Sequence, residues 1–142
     1  MERSHAITDR QAIENLLEEL YAARVRGDLE ALRKLFAPNA TFQVVGSDKA
    51  SPMPIFVKGN PGVIGLIQNM IATFELSDFA VVEMLIDGAQ AAVRWQATVH
   101  HTGTDQVFTT ELADFITIAN GQVAAFVEFL DTALAANVLA GK

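Results

Sequence analysis

The feature that most constrains this chain is a change of period partway along it. Ala80 to Ile86, Ala91 to His101, Val107 to Ile118 and Gln122 to Leu130 are long runs rich in Val, Ile, Phe and Thr, separated by turn signals at Asp87-Gly88, near Gly103 and at Asn120-Gly121. Asp-Gly and Asn-Gly pairs suit tight hairpins because these residues accept the left-handed backbone that such turns require. The second half of the chain therefore reads as a meander of long antiparallel strands.

The first half carries a different period. Ile7, Ile13, Leu16, Leu17, Leu20 and Tyr21 recur at helical spacing, with Thr8 or Asp9 as the expected cap and Gly27 as the end. Asp28 is placed to cap a short second helix bearing Leu29, Leu32, Leu35 and Phe36, closed by Pro38-Asn39. Thr41 to Val45 and Ile55 to Lys58 read as strands, with Gly46 to Pro54 between them as a loop. Asn60 followed by Pro61 looks like a cap opening a third helix through Val63, Ile64, Ile67, Met70, Ile71 and Phe74. Asp131-Thr132 is placed to cap a last short helix, Ala133 to Leu139. Helices followed by a meander predict an α+β domain with the helices on one face of the sheet.

Composition narrows the function. A chain of 142 residues, 51% apolar and 19% charged, is the size and make-up of one globular domain, so residues 1–142 are expected to form a single unit. The formal charge of −7 with scattered basic residues argues against nucleic acid and against anionic membranes as partners. Cysteine is absent, which removes disulfides, thiolate metal ligands and a Cys nucleophile. The opening Met1-Glu2-Arg3-Ser4-His5 leads into an amphipathic pattern rather than a signal peptide, and a cytoplasmic location is the expectation.

Strand parity separates the two faces of the sheet. Val93, Trp95, Ala97 and Val99 share one face, and Arg94, Gln96, Thr98 and His100 the other. Thr110, Leu112, Asp114, Ile116 and Ile118 form a second inward row, and Ala124, Phe126, Glu128 and Leu130 a third. The second and third rows thus each place one carboxylate among apolar neighbours. Burial disfavours the charged form of such a group and moves its pKa toward values useful for proton transfer, which makes Asp114 and Glu128 the leading candidates for chemistry. His100 and His101 are adjacent and point to opposite faces, so they do not chelate one ion together; both are expected at the solvated surface, and no metal site is expected.

The order of a long helix, GDLEALRKLF, PNATF, a KGNPG-led helix and strands ending in ADFITIANGQVAAFVEFLDT resembles the SnoaL-like and ketosteroid-isomerase-like branch of the nuclear transport factor 2-like superfamily, over nearly the whole chain. The resemblance implies a cone-shaped, curved antiparallel sheet (a cystatin-like roll), a pocket between its concave face and the helices, and a homodimer formed through the convex face. Phe42, Val44, Trp95, Val99, Leu112, Phe126 and Leu130 would then line a pocket for a small hydrophobic molecule, with Phe74 filling core.

Setting the chain against individual chemistries of the superfamily divides them. Ketosteroid isomerase would place its general base at Val44, which has no acid, its oxyanion aspartate at or beside Asp114 and its oxyanion tyrosine near Tyr21. Limonene epoxide hydrolase would place one acid at Glu128, but Trp95 and Ala97 stand for its arginine and second acid. SnoaL-type cyclases carry an acid–base aspartate on a strand like ADFITI, which matches Asp114. The expectation is a cofactor-independent proton-transfer enzyme of isomerase, cyclase, dehydratase or hydrolase type, using Asp114, Glu128 and Tyr21. The alternative is a binding or dimerisation module without turnover.

Overall fold

The computed structural model describes residues 2–46 and 55–141. The loop expected over Gly46 to Pro54 lies outside the described residues from position 47 on. The elements run α1 (Glu2–Arg26), α2 (Leu29–Leu35), β1 (Phe36–Val44), β2 (Ile55–Lys58), α3 (Asn60–Thr73), β3 (Phe74–Asp87), β4 (Gln90–His101), β5 (Val107–Ala119), β6 (Gln122–Phe129) and α4 (Thr132–Leu139).

The six strands among the described residues form one curled, open sheet in the order β2-β1-β6-β5-β4-β3. Every neighbouring pair is antiparallel except β1 with β6, which run parallel, so the sheet is mixed. The parallel pair arises because the meander returns to the strand that precedes it, and α3 carries the chain from one edge of the sheet to the other. β3 shifts register twice, between Ser77 and Ala80 and between Val81 and Glu83, and Asp78 takes a positive φ of 51° there. Bulges of this kind bend a strand.

The helices sit over the inner face. Ile13, Leu17, Leu20 and Tyr21 of α1 and Val63, Ile64 and Ile67 of α3 are buried together with Val93, Trp95 and Ala97 of β4. Asp28 caps α2 as its position suggested, its carboxylate accepting the Ala31 amide at 3.0 Å. Asp131 does the same for α4 at the Leu134 amide, also at 3.0 Å.

Several boundaries differ from the sequence reading. α1 starts at Glu2, upstream of Thr8 and Asp9, in a stretch with neither Gly nor Pro to stop a helix. Pro38 and Asn39 lie within β1 rather than closing α2; they are exposed where the β1–β6 register shifts between Phe36 and Thr41, a place where a residue without an amide hydrogen is tolerated. Gly59, at φ 90°, is the cap of α3, and Asn60 is its first residue. The Asn60 side chain instead donates to the Arg33 and Phe36 carbonyls at 3.0 and 2.9 Å, fastening α3 to the α2–β1 junction. Phe74 begins β3 rather than continuing α3, so that strand is six residues longer at its start than the alternation alone indicated.

A candidate active site around Asp114 and Glu128

The chemistry of the inner face converges on one carboxylate. Asp114, midway along β5, is fully buried at 0% exposure, because its row faces the helices and Leu112 and Ile116 flank it. Tyr21 reaches it from α1, its hydroxyl donating to Asp114 Oδ2 at 2.5 Å. The Trp95 indole N–H, from the neighbouring strand β4, donates to the same oxygen at 2.6 Å. Phe79 stacks on Tyr21 at 5.6 Å between ring centroids and tilts against Trp95 at 5.3 Å, so both donors are held by packing.

The second acid completes the arrangement. Glu128 on β6 is the direct cross-strand partner of Asp114 and is 1% exposed. Among the described residues no donor other than the facing carboxyl group reaches either Glu128 oxygen or Asp114 Oδ1. Two ionised carboxylates placed this close and this deep repel each other strongly, and two acceptors cannot bond without a proton between them. Burial is the largest effect on Asp114 and pushes its pKa well above the ordinary aspartate value; the Glu128 charge and a hydrogen bond shared with Glu128 push it further, against the opposing bonds from Tyr21 and Trp95. With Oδ2 occupied by two donors, the proton of Asp114 belongs on Oδ1, facing Glu128. Tyr21 stays protonated for related reasons: burial first, then the Asp114 charge and hydrogen bond, hold its pKa well above that of a free phenol.

Beside this pair lies a cavity of about 260 Å³. Glu128 forms part of its wall, together with Val44 of β1, Trp95 and Val99 of β4, Leu112 of β5 and Leu130 after β6. Leu66, Met70, Thr73 and Phe74 close it from the α3 side, and Leu134, Ala135 and Leu139 from α4. The wall is overwhelmingly apolar, with Arg24, Asn69, Thr73, Thr110, Glu128 and Asp131 as its polar members.

The residues singled out from the sequence therefore separate into two groups. Glu128, Val44, Trp95, Val99, Leu112 and Leu130 reach the cavity. Asp114 and Tyr21 stand behind it, bonded to each other. Phe42 and Phe126 do not line it; they stack face to face at 4.6 Å and 10°, with Phe36 tilted against Phe126, and fill the core between β1, β6 and α2. Phe74, taken from the sequence as core, does line the cavity because the chain turns from α3 into β3 at that residue. Arg24 was not singled out, although it follows Tyr21 by three positions and Leu20 by four and so shares their buried face of α1.

The two histidines differ from the expectation of a shared exposed setting. His100 is partly exposed and lies between Glu75 at 2.6 Å and Asp105 at 2.9 Å, whose hydrogen bonds raise its pKa. His101 is buried at 6% exposure, because the alternation at the end of β4 turns it inward, where it tilts against Phe74 at 5.4 Å and its Nδ1 lies 2.7 Å from Thr104 Oγ1. Among the described residues no cluster of three His, Cys, Asp or Glu side chains is arranged to hold a metal ion. Among the same residues no helix is long and apolar enough to cross a membrane.

The architecture has close structural relatives. A nuclear transport factor 2-like protein from Burkholderia xenovorans LB400 superposes with a TM-score of 0.73 at 21% identity, covering 93% of this chain and 97% of its own. A provisionally named isomerase from Bacillus subtilis gives 0.82 at 15% identity, with 94% and 96% covered. A provisionally named SnoaL-like polyketide cyclase from Jannaschia sp. CCS1 gives 0.77 at 16% identity, with 94% of each chain covered. At these identities the likeness is one of fold. Comparison with curated proteins finds no match. Residues 17–126 match the SnoaL-like domain over the stretch that carries Tyr21, Trp95 and Asp114, and the chain belongs to that family.

Proposed function

We propose that this protein is a cofactor-independent proton-transfer enzyme acting on a small hydrophobic substrate. The observation that carries the reading is Glu128: a buried carboxyl group on the wall of an apolar cavity, with no donor among the described residues other than the Asp114 carboxyl group facing it. Such a group is available to a proton on carbon or oxygen of a bound molecule. Glu128 takes the proton from one position of the substrate and returns it at another. Asp114 holds a proton against Glu128 and accepts the Tyr21 and Trp95 bonds, acting as a positioning residue. The reaction class is isomerisation of a carbonyl compound, in which the proton removed from one carbon is returned at another position, or an intramolecular aldol closure, in which the carbon left by that proton bonds to a second carbonyl carbon and the proton goes to its oxygen; a dehydration would in addition release the hydroxyl group with that proton as water.

The test is solvent exchange. Small cyclic ketones and 1,3-dicarbonyl compounds incubated with the protein in deuterium oxide should gain deuterium beside the carbonyl, followed by proton NMR. Glu128→Gln should slow this by about 10²- to 10⁴-fold, the usual contribution of a general acid–base group. Exchange at an unchanged rate in Glu128→Gln excludes the assignment.

One observation favours a second reading, a binding module without turnover. Tyr21 spends its hydroxyl on Asp114, leaving no tyrosine donor for a substrate oxyanion. In that case the cavity binds the same class of molecule and no exchange occurs.

We also propose a homodimer through the outer face of the sheet. Leu85, Ala92, Phe115, Val127, Gln43 and Phe56 form a cross-strand row from β3 to β2. Leu85, Phe115 and Phe56 are 59%, 52% and 62% exposed, and Phe129 packs edge-on against Phe115 at 5.7 Å. A largely apolar row of this kind, interrupted by Gln43, favours burial against a second copy.

A further inference from the structure

Among the described residues the cavity wall holds one cation, Arg24, and its donors are unused. Arg10 donates to the Ile86 carbonyl, Arg26 to Glu19 and Asp28, Arg33 to Glu30 and Arg94 to Glu111. Arg24, half-buried in the last turn of α1, makes no side-chain hydrogen bond or ion pair with any described residue. A guanidinium carries five donors in a planar fork that matches a carboxylate. Placing it against an apolar wall without a partner is unfavourable unless a ligand or water supplies the acceptors.

The rest of the wall fixes what such a ligand looks like. Asp131, the wall's other carboxylate beside Glu128, is turned onto the Leu134 amide. The protein as a whole carries −7, so its general field does not attract an anion, and recognition of one falls to a local cation. The volume of about 260 Å³ lies just below the usual span for small-molecule sites, about 300–1,000 Å³, and so calls for a small ligand.

We propose that Arg24 binds a carboxylate on the substrate, which is therefore a small apolar acid with its charged end at Arg24 and its reacting end toward Glu128. The inference rests on the cavity being the ligand site proposed above; it does not rest on the proton transfer. Arg24 then sets specificity, selecting the acid over its uncharged analogues, while Trp95 and Leu112 contact the apolar body.

Phenylbutyrate and its uncharged amide, phenylbutyramide, make a matched pair of probes. Trp95 is the only tryptophan and lies on the cavity wall, so its fluorescence reports occupancy directly. Wild-type protein should bind phenylbutyrate about tenfold more tightly than the amide, the scale of one charge-assisted bidentate contact. Arg24→Gln should abolish that preference while leaving the amide's Kd within about twofold, which also reports that the cavity is intact. Arg24→Lys should retain part of the preference. Equal affinity for the two probes in wild type, a preference that survives Arg24→Gln, or no binding of either probe would each overturn the proposal. Glu128→Gln should keep the preference for the acid, so a failure of the proton-transfer reading leaves this result standing.

Discussion

Asp114 and Glu128 are direct partners across the β5–β6 ladder, yet only Glu128 reaches the cavity. The outer acid meets the cavity with no described donor but Asp114 itself, while the inner one is bound by Tyr21 and Trp95. One carboxylate is thus fixed and the other left available. The pair behaves as a unit, because ionising both would place two charges side by side at 0% and 1% exposure.

Tyr21 and Trp95 should be energetically coupled through the oxygen they share. Tyr21→Phe and Trp95→Phe should each destabilise the fold by about 1–3 kcal/mol, the cost of leaving a buried acceptor less satisfied. The double variant should depart from the sum of the two, since both donors bond to Asp114 Oδ2. Urea denaturation of the four proteins measures the cycle, and strict additivity would show that the two donors act independently.

The raised pKa of Asp114 has a definite consequence for stability against pH. The folded state holds this proton more tightly than the unfolded chain does. The resulting stabilisation is fully present below the ordinary aspartate value of 3.8 and is lost as pH rises toward the folded value. Asp114→Asn removes the titration, so its stability relative to wild type should climb with pH above that point, at up to about 1.4 kcal/mol per pH unit for one proton. Urea midpoints for the two proteins across the acid and neutral range check the sign. A difference independent of pH would mean that Asp114 ionises normally in the fold.

Core filler and cavity wall should separate by mutation. Phe42→Ala should destabilise by about 3–5 kcal/mol, as for other buried aromatics, while leaving Trp95-reported ligand binding nearly unchanged. Leu130→Trp, on the wall, should do the reverse: little loss of stability and a loss of binding, because the larger ring occupies the ligand space. Thermal denaturation and fluorescence titration together distinguish the two.

These contrasts mark how far the sequence could be read. The inward rows on β4, β5 and β6 were legible because the two-residue period holds through Trp95, Asp114 and from Phe126 to Glu128; at the start of β6 it fails, because the register shift between Thr117 and Ile118 buries Val123 in place of the expected Ala124. The hairpins were legible because Asn120 and Gly121 both take positive φ, 52° and 75°, as the Asn-Gly pair suggested. Parity assigns a face but not a depth, so it could not tell that Phe42 and Phe126 stack on each other while Leu130 opens onto the cavity. The Tyr21–Asp114 bond joins residues 93 positions apart and depends on how α1 crosses the sheet, which no local pattern records. Phe74 through Phe79 mix apolar and acidic residues in a way that suits a helix end or a bulged strand equally, and only the pairing with β4 decides.

The outer face offers an independent test of assembly. Phe115→Glu should convert the proposed dimer to a monomer without loss of secondary structure, since Phe115 is 52% exposed in the single chain and supports no core contact that a Glu would break. Analytical ultracentrifugation reads the outcome directly. A wild-type protein that sediments as a monomer would exclude the dimer, and the apolar row would then be free surface.

The central claim is that Asp114 keeps its proton, held against Glu128, well above the pH at which an ordinary aspartate loses it. Carbon-13 NMR of the side-chain carboxyl groups, assigned through Asp114→Asn, follows that proton directly. The account predicts an Asp114 signal that stays in its protonated position well above the ordinary carboxylate range. A signal that titrates at about 4, like a solvated aspartate, would contradict it.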